Sequence, residues 1–192
     1  DDIYLTEDEI KKMYKLDLAE NERLERVRDL FVVGCRTGLR HSDLVKIRKE
    51  NVSKEGIKFK VEKTEATLNT VIIEETQEIL EKYNYELPKI SRTNLNKYIK
   101  EIGELAGIDE ITYKDTYKAG KPVSIKMKKY ERISSHTARR SFATNMHKRS
   151  YPNYYIMQIT GHKKESDFLN YIKVTNEEAV KIITMNYKRK VS

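Results

Sequence analysis

The feature that most constrains this chain is a series of chemically active side chains between residues 134 and 171. His136 and Arg139 are three residues apart, so on a helix they share one face. A glycine–histidine pair follows at Gly161–His162, and Tyr171 lies nine residues beyond it (171 − 162). A cation, two imidazoles and a phenol therefore lie within one short stretch of the chain.

These side chains together point to chemistry on a phosphate, with Tyr171 as the attacking group. A guanidinium matches two phosphate oxygens at once and stays protonated, which suits Arg139 and also Arg40 in the segment TGLRHSDL. The imidazoles of His136 and His162 titrate close to neutral pH, so either one could bind the phosphate or take the tyrosine proton. Asp43, three residues after Arg40, could orient that guanidinium or simply cap a helix.

Charge is unevenly distributed along the chain, which has a formal net charge of +8. Residues 113–164 hold 13 Lys or Arg against 2 Asp or Glu, whereas the first 30 residues hold 6 against 10. A concentrated basic region is the expected footprint of a polyanionic partner such as nucleic acid, the alternative being a merely basic surface.

Cys35 is the single cysteine and lies in the apolar segment FVVGC, where we expect it to be a small buried side chain. One cysteine cannot form an intrachain disulfide, which fits the reducing cytoplasm. The sequence shows no secretory signal and no apolar segment of the roughly 20 residues that a membrane span needs. No carboxylates or thiolates join the histidines at ligand spacing, so we expect neither a metal nor another cofactor.

Periodicity and capping residues predict mostly helices. Thr6 and Glu9 form a capping box before the first helix, and Gly38 ends a long one. Ser42 is a candidate cap for a short helix. The predicted helical segments are 20–38, 75–109 with a break at Pro88, 137–149, 152–160, 165–171 and 175–188.

Two segments have strand character. Residues 57–61 alternate apolar and charged side chains, and Val71–Ile73 forms a second apolar run, with a turn at residues 64–69. Residues 111–129 predict a basic hairpin with its turn at Gly120 and Pro122. We therefore expect a mainly α-helical fold with a small antiparallel β-sheet, an α+β arrangement, forming one domain over residues 1–192.

The segments TGLRHSDL, HTARRSFAT and ITGHKKESDFLNY, in this order, resemble the catalytic signature of tyrosine recombinases, the phage-type integrases carried by mobile elements. The resemblance implies the tyrosine recombinase catalytic-domain fold and six active-site residues. They are Arg40, Lys63, His136, Arg139, His162 and Tyr171. Lys63, in KTEATLN, corresponds to a lysine that protonates the leaving oxygen, although Lys58 and Lys60 compete for this position.

The resemblance further implies site-specific recombination or integration of double-stranded DNA through a 3′-phosphotyrosyl intermediate. Family members carry an N-terminal DNA-clamping domain, missing from this sequence, and work as tetramers, although a fragment can be monomeric. They also exchange a C-terminal element, for which residues 175–192 are the candidate, with packing on its own domain as the alternative. Other interpretations are a type IB topoisomerase-like enzyme, a non-catalytic basic DNA-binding module and a metal-dependent nuclease.

Overall fold

The computed structural model describes residues 3–60, 67–118, 120–172 and 174–191. Its helices are α1 (Glu7–Tyr14), α2 (Glu22–Thr37), α3 (His41–Leu44), α4 (Glu74–Lys82), α5 (Arg92–Leu105), α6 (Ser135–Lys148), α7 (Asn153–Thr160), α8 (Glu165–Tyr171) and α9 (Asn176–Val191). Its strands are β1 (Val52–Ser53), β2 (Gly56–Lys60), β3 (Thr67–Thr70), β4 (Ile111–Lys118) and β5 (Lys121–Lys128). Short 3₁₀ turns lie at Lys49–Asn51 and Lys129–Arg132. The predicted mainly α fold with small antiparallel sheets is confirmed.

Helix α2 is the centre around which the other helices pack. It begins after Asn21, whose side chain accepts a hydrogen bond from the amide of Leu24 at 3.1 Å. Every residue from Val27 to Thr37 is buried, because α1, α4, α5 and α6 all pack against this helix. Cys35 is among them, as predicted, and its burial in apolar surroundings raises the pKa of its thiol.

Gly38 determines how the chain leaves α2. It has the left-handed conformation with φ of 68°, and its amide donates to the carbonyl of Gly34 at 3.0 Å. A Cβ at this position would lie 2.5 Å from the ring of Phe142 on α6, so only glycine fits. This close approach brings the segment that follows α2 directly against α6.

The three-stranded sheet is antiparallel in the order β1-β2-β3. Ile57 on β2 is buried in the core and pairs with Thr70 on β3, whose hydroxyl donates to the carbonyl of Thr37 at the end of α2. Our prediction of a strand at Val71–Ile73 was wrong. The strand is formed by Thr67–Thr70, and Ile73 is the residue directly before α4, with its side chain exposed. The apolar run therefore connects the strand to the helix.

The predicted basic hairpin is confirmed. Strands β4 and β5 pair antiparallel from Ile111 opposite Lys128 to Lys118 opposite Lys121 at the tip. The turn Lys129–Arg132 then leads directly into α6. The hairpin therefore leaves the body of the protein next to the start of the helix that carries His136 and Arg139.

Helices α6, α7 and α8 follow one another closely and enclose a small core of their own. Phe142, Ile156 and Phe168 are buried together in it. Helix α9 is attached through its first turn, where Glu178 accepts from the hydroxyl of Tyr4 and from Nζ of Lys148, both at 2.7 Å. None of the helices in the described ranges combines the length and the apolar character that a membrane crossing requires.

Candidate active site

Residues at the N-terminal ends of three helices line one open cleft of about 230 Å³. The lining residues are Arg40, His41 and Ser42 from the start of α3, Arg92 from the start of α5, and Ser135, His136 and Arg139 from α6. The dipoles of α5 and α6, whose N-terminal ends line the cleft, add positive potential to that of the three guanidiniums. An anion is therefore the ligand that this cleft favours electrostatically.

Arg139 forms the buried wall of the cleft. Its side chain is 8% exposed, and Nη1 donates to the carbonyl of Gly38 at 2.6 Å. Burial and, after it, the positive charge of Arg40 lower the pKa of Arg139 to about 10. The guanidinium still carries its charge at neutral pH. The repulsion between the guanidiniums of Arg40 and Arg139 is reduced when an anion binds between them.

Arg40 lies at the exposed side of the same cleft and is the residue before α3. Our prediction that Ser42 caps a short helix was wrong, because α3 begins at His41. Asp43 is buried and pairs with Lys46 at 3.9 Å, whereas the structure gives it no contact with the Arg40 guanidinium. Its negative charge acts on Arg139 instead, where it favours the protonated form.

His162 has a defined tautomer that follows from its hydrogen bonds. Nδ1 of His162 lies 2.8 Å from Oγ1 of Thr160, and that hydroxyl donates its hydrogen to the carbonyl of Ile156 at 2.8 Å. Nδ1 must therefore be the donor, which leaves Nε2 as the acceptor in the neutral ring. Burial, followed by the charges of Arg139 and Arg40, lowers the pKa of His162 and keeps it neutral.

Tyr171 is the last residue of α8 and lies against His162. The two ring centroids are 4.8 Å apart and the rings are tilted by 48°. Nε of Arg140 donates to the carbonyl of Tyr171 at 3.0 Å, and its guanidinium carbon lies 4.5 Å from the centroid of the tyrosine ring. The phenolate charge of Tyr171 also favours protonated Arg139, so the phenol is within electrostatic reach of the cleft.

His136 projects from the first turn of α6 into the cleft and is exposed, one helical turn before Arg139, as its spacing predicts. Three of the six predicted site residues, Arg40, His136 and Arg139, line this cleft. The charges of Arg139 and Arg40 act on His162, which packs against Tyr171. The sixth, Lys63, lies outside the described residues. In the described part of the chain, no three His, Cys, Asp or Glu side chains form a group that could hold a metal ion.

A family model for the phage integrase family matches residues 4–178, which is most of the chain. The chain belongs to the phage integrase family. Among curated protein sequences there is no significant match to this integrase-family chain.

Solved structures share the fold of this integrase-family chain at low sequence identity. XerA recombinase superimposes with a TM-score of 0.69 at 19% identity, over 96% of this chain and 65% of that protein. The catalytic domain of bacteriophage HP1 integrase gives 0.54 at 16%, over 94% and 95%. The Tn1549 transposon integrase in complex with circular intermediate DNA gives 0.60 at 13%, over 94% and 64%. The chain thus spans about two-thirds of XerA recombinase and of the Tn1549 integrase.

Two arginines of this integrase-family site were missed by sequence reasoning. Arg140 directly follows Arg139, and neighbouring helical residues point in different directions, so the sequence does not connect it with the site; in the structure it is buried against Tyr171. Arg92 lines the cleft from α5, and the structure shows it in no ion pair with any described residue. Its only sequence signal is its position directly after Ser91, which caps α5 by accepting from the amide of Asn94.

Proposed function

We propose that this chain is the catalytic part of a tyrosine-type site-specific recombinase that cleaves and rejoins double-stranded DNA. The observation that best supports this function is the arrangement of Tyr171, His162 and the Arg40–Arg139 pair. The phenol of Tyr171 packs against the neutral ring of His162, and the charges of Arg139 and Arg40 act on that ring, although these residues come from distant segments of the chain. Integrases whose solved structures contain DNA, such as the Tn1549 integrase, share this fold and support duplex DNA as the substrate.

In the proposed cleavage step, the phenolic oxygen of Tyr171 attacks the phosphorus of a DNA phosphodiester. Its proton passes to Nε2 of His162, the ring atom that the Thr160 hydrogen bond leaves unprotonated. The bond from phosphorus to the 5′ oxygen breaks, and that oxygen takes a proton from Lys63. Arg40, Arg139 and His136 stabilise the negative charge that develops on the nonbridging oxygens.

The products are a 3′-phosphotyrosyl bond and a free 5′ hydroxyl. Because the phosphotyrosyl ester retains the energy of the broken bond, a second 5′ hydroxyl can attack it and release Tyr171 without a nucleotide cofactor. When that hydroxyl belongs to another duplex, the strands are exchanged. Exchange between two duplexes calls for several copies of the protein, and we propose a tetramer on DNA for the full-length recombinase.

The test of this function uses a pool of nicked duplexes, in which cleavage releases a short strand and traps the covalent product. We expect a protein–DNA adduct that survives denaturation, forms in the presence of EDTA and is absent in Tyr171→Phe. An adduct that persists in Tyr171→Phe would exclude Tyr171 as the nucleophile. A requirement for magnesium would indicate a nuclease, and relaxation of supercoiled plasmid without sequence preference would indicate a topoisomerase.

The role of Lys63 has its own test, because the need for a general acid depends on the leaving group. A 5′-bridging sulfur leaves as a thiolate. Because a thiol has a pKa near 8.5, the thiolate can leave without a proton donor. We expect Lys63→Ala to be slow on the oxygen substrate and close to wild type on the sulfur substrate. Lys58→Ala is the matched control and should cleave both substrates normally. An equal defect of Lys63→Ala on both substrates would exclude the role.

A further inference from the structure

The hairpin formed by β4 and β5 lacks a substantial packing partner in the described part of the chain. Its strands pack on each other, and β5 also contacts the turn Lys129–Arg132. Only the base is fixed, since the amide of Lys129 donates to the carbonyl of Glu110 at 2.8 Å and Nη1 of Arg132 donates to that of Tyr113 at 2.9 Å. Isolated two-stranded hairpins are marginally stable in water, so a ribbon of this length suits a binding partner.

The composition of the hairpin identifies the chemistry of that partner. Residues 111–118 and 121–128 contain one acid, Asp115, and the exposed lysines Lys114, Lys118, Lys121, Lys126 and Lys128. Two tyrosines, Tyr113 and Tyr117, are 59% and 77% exposed. Lysines interleaved with exposed aromatic rings favour a polyanion that also presents flat or apolar surface, which describes nucleic acid.

The strand register places lysines on both faces of the ribbon. Lys118 lies opposite Lys121 on one face, and Lys114 is on that face as well. Lys126 lies opposite Tyr113 on the other face. A ribbon that rested flat on an anionic surface would need cations on one face only. Cations on both faces fit a site with two negatively charged walls, which is the geometry of a DNA groove.

We propose that the β4–β5 hairpin enters the major groove of duplex DNA next to the phosphodiester that is cleaved. The major groove is about 12 Å wide and admits a two-stranded ribbon, whereas the minor groove is only about 6 Å wide. The position also fits, because Lys114 and Met127 of the hairpin line a surface pocket together with Ser134, the residue before α6, and Thr137 of α6. The start of α6 carries His136, so the hairpin leaves the body beside the catalytic cleft.

This inference rests on the proposed function, since it takes duplex DNA as the ligand. In the groove, the lysines contact phosphates on both walls, and Tyr113 and Tyr117, which share a face with Lys126, pack against the sugars of one wall. An eight-residue strand extends about 26 Å, which is enough to follow the groove away from the cleavage site. The hairpin then adds binding energy and orientation, while the chemistry stays with the cleft.

The first test compares two variants with equal net charge in a Tyr171→Phe background. One replaces four hairpin lysines with glutamine at positions Lys114, Lys118, Lys121 and Lys126. The control replaces four other exposed lysines with glutamine at positions Lys11, Lys12, Lys15 and Lys54. We measure the Kd for a plain duplex between 50 and 200 mM salt and compare the slopes of log K against log salt. Each lost phosphate contact reduces the slope by about 0.9, so the hairpin variant should lose up to about 3.6.

The second test uses the unmodified hairpin and changes the DNA. A duplex whose cytosines carry glucosylated hydroxymethyl groups has a filled major groove and an open minor groove. We expect the Tyr171→Phe protein to bind this duplex at least tenfold more weakly than plain duplex. For the hairpin variant, the Kd values of the two duplexes should differ little. Netropsin, which fills the minor groove, should not compete with the hairpin.

Several results would overturn the inference. Equal slope changes in the two lysine variants would show that net charge alone matters. Unchanged slopes combined with loss of self-association in sedimentation would show that the hairpin binds a second copy of the chain. Glucosylation without effect would exclude the major groove. Adduct formation by the protein with Tyr171 intact, measured on nicked duplex in parallel, separates these failures from a failure of the proposed function.

Discussion

Arg40 and Arg139 face one cleft from distant parts of the chain, and the charge of the first lowers the pKa of the second. Their mutual repulsion has a direct consequence for binding. An oxyanion that binds between the two guanidiniums offsets their repulsion with two attractive interactions. The electrostatic stabilisation is greatest when the anion carries the most negative charge. A pentavalent phosphoryl group carries more charge on its nonbridging oxygens than a resting diester. Under the proposed function, the cleft should therefore bind the transition state more tightly than the substrate.

Replacing Arg139 with lysine should reduce cleavage far more than DNA binding. Lysine keeps the charge but has all its donors on one nitrogen, so it lacks the planar fork in which Nη1 is held by the carbonyl of Gly38 while other N–H groups remain for a phosphate. We expect the single-turnover rate of adduct formation to fall about a hundred- to thousandfold, the usual cost of a lost oxyanion donor. Arg26→Lys, on the exposed side of α2, is the matched control and should cleave normally. A Kd that weakens as much as the rate falls would contradict this interpretation.

The rate of cleavage should fall on the acid side because of His162. Its pKa is lowered, so the ring is neutral above its ordinary pKa of about 6.5 and becomes protonated only as the pH falls further. Protonated His162 cannot accept the proton of Tyr171. We expect a constant rate between pH 6.5 and 8 and a decline below that range. His162→Asn should be slow and should lack this acid limb.

Thr160→Val serves as the control for the tautomer. It removes the acceptor for Nδ1 of His162 without changing the size of the side chain, so the ring can adopt either tautomer. The rate should decrease several-fold at neutral pH while the acid limb remains. An acid limb that persists in His162→Asn would assign it to another group.

Arg140 should act as a positioning residue for Tyr171. Arg140→Gln loses the hydrogen bond to the carbonyl of Tyr171 and the contact with its ring, interactions worth together about 1–3 kcal/mol. We expect adduct formation to slow by about tenfold or more, with an unchanged Kd for duplex. Arg140→Lys keeps a cation near the ring and should recover part of the rate. A loss confined to DNA binding would show that Arg140 contacts the substrate instead.

Arg92 should contribute to phosphate binding from the side of α5. Arg92→Gln removes a guanidinium from the cleft lining but leaves the cap of α5 by Ser91 in place. We expect the slope of log K against log salt to decrease by about 0.9, corresponding to one phosphate contact. Arg23→Gln, whose guanidinium lies over the ring of Tyr98 away from the cleft, provides the comparison. An unchanged slope in Arg92→Gln would exclude the contact.

Gly38 should be one of the least tolerant positions for stability. Gly38→Ala combines a left-handed backbone with a Cβ 2.5 Å from the ring of Phe142, and we expect it to lower the free energy of unfolding by about 2–5 kcal/mol. Gly107 has the same φ of 68° but nothing within 4 Å of its would-be Cβ. Gly107→Ala should therefore cost only about 1–2 kcal/mol, measured in the same urea titrations. Equal losses would exclude the steric contribution of Phe142.

Local sequence signals predicted the elements whose determinants are themselves local. The capping box of Thr6 and Glu9, the end of α2 at Gly38 and the hairpin at residues 111–129 follow from residues that lie next to one another. The strand at Thr67–Thr70 was missed because its sequence is polar and its place is set by pairing with β2. Alternation of apolar residues cannot report a strand of this kind.

The residues of the candidate site also fall into two groups, those that the local sequence predicts and those that depend on tertiary packing. The spacing of His136 and Arg139 on one helical face is a local property and could be predicted. The contacts of Arg140 with Tyr171 and the position of Arg92 depend on how α5 and α8 pack beside α6, which no short segment encodes. Asp43 shows the opposite error, because proximity in sequence suggested a pair with Arg40 that the folded chain does not form.

The acceptor that holds Arg139 is a main-chain carbonyl, that of Gly38. A carbonyl belongs to the main chain, so substitution of the neighbouring side chains cannot delete it as long as Gly38 itself is kept. The anchoring of the innermost guanidinium therefore depends on the course of the backbone through Gly38, and substitution of the other side chains around the cleft leaves the acceptor of Arg139 in place.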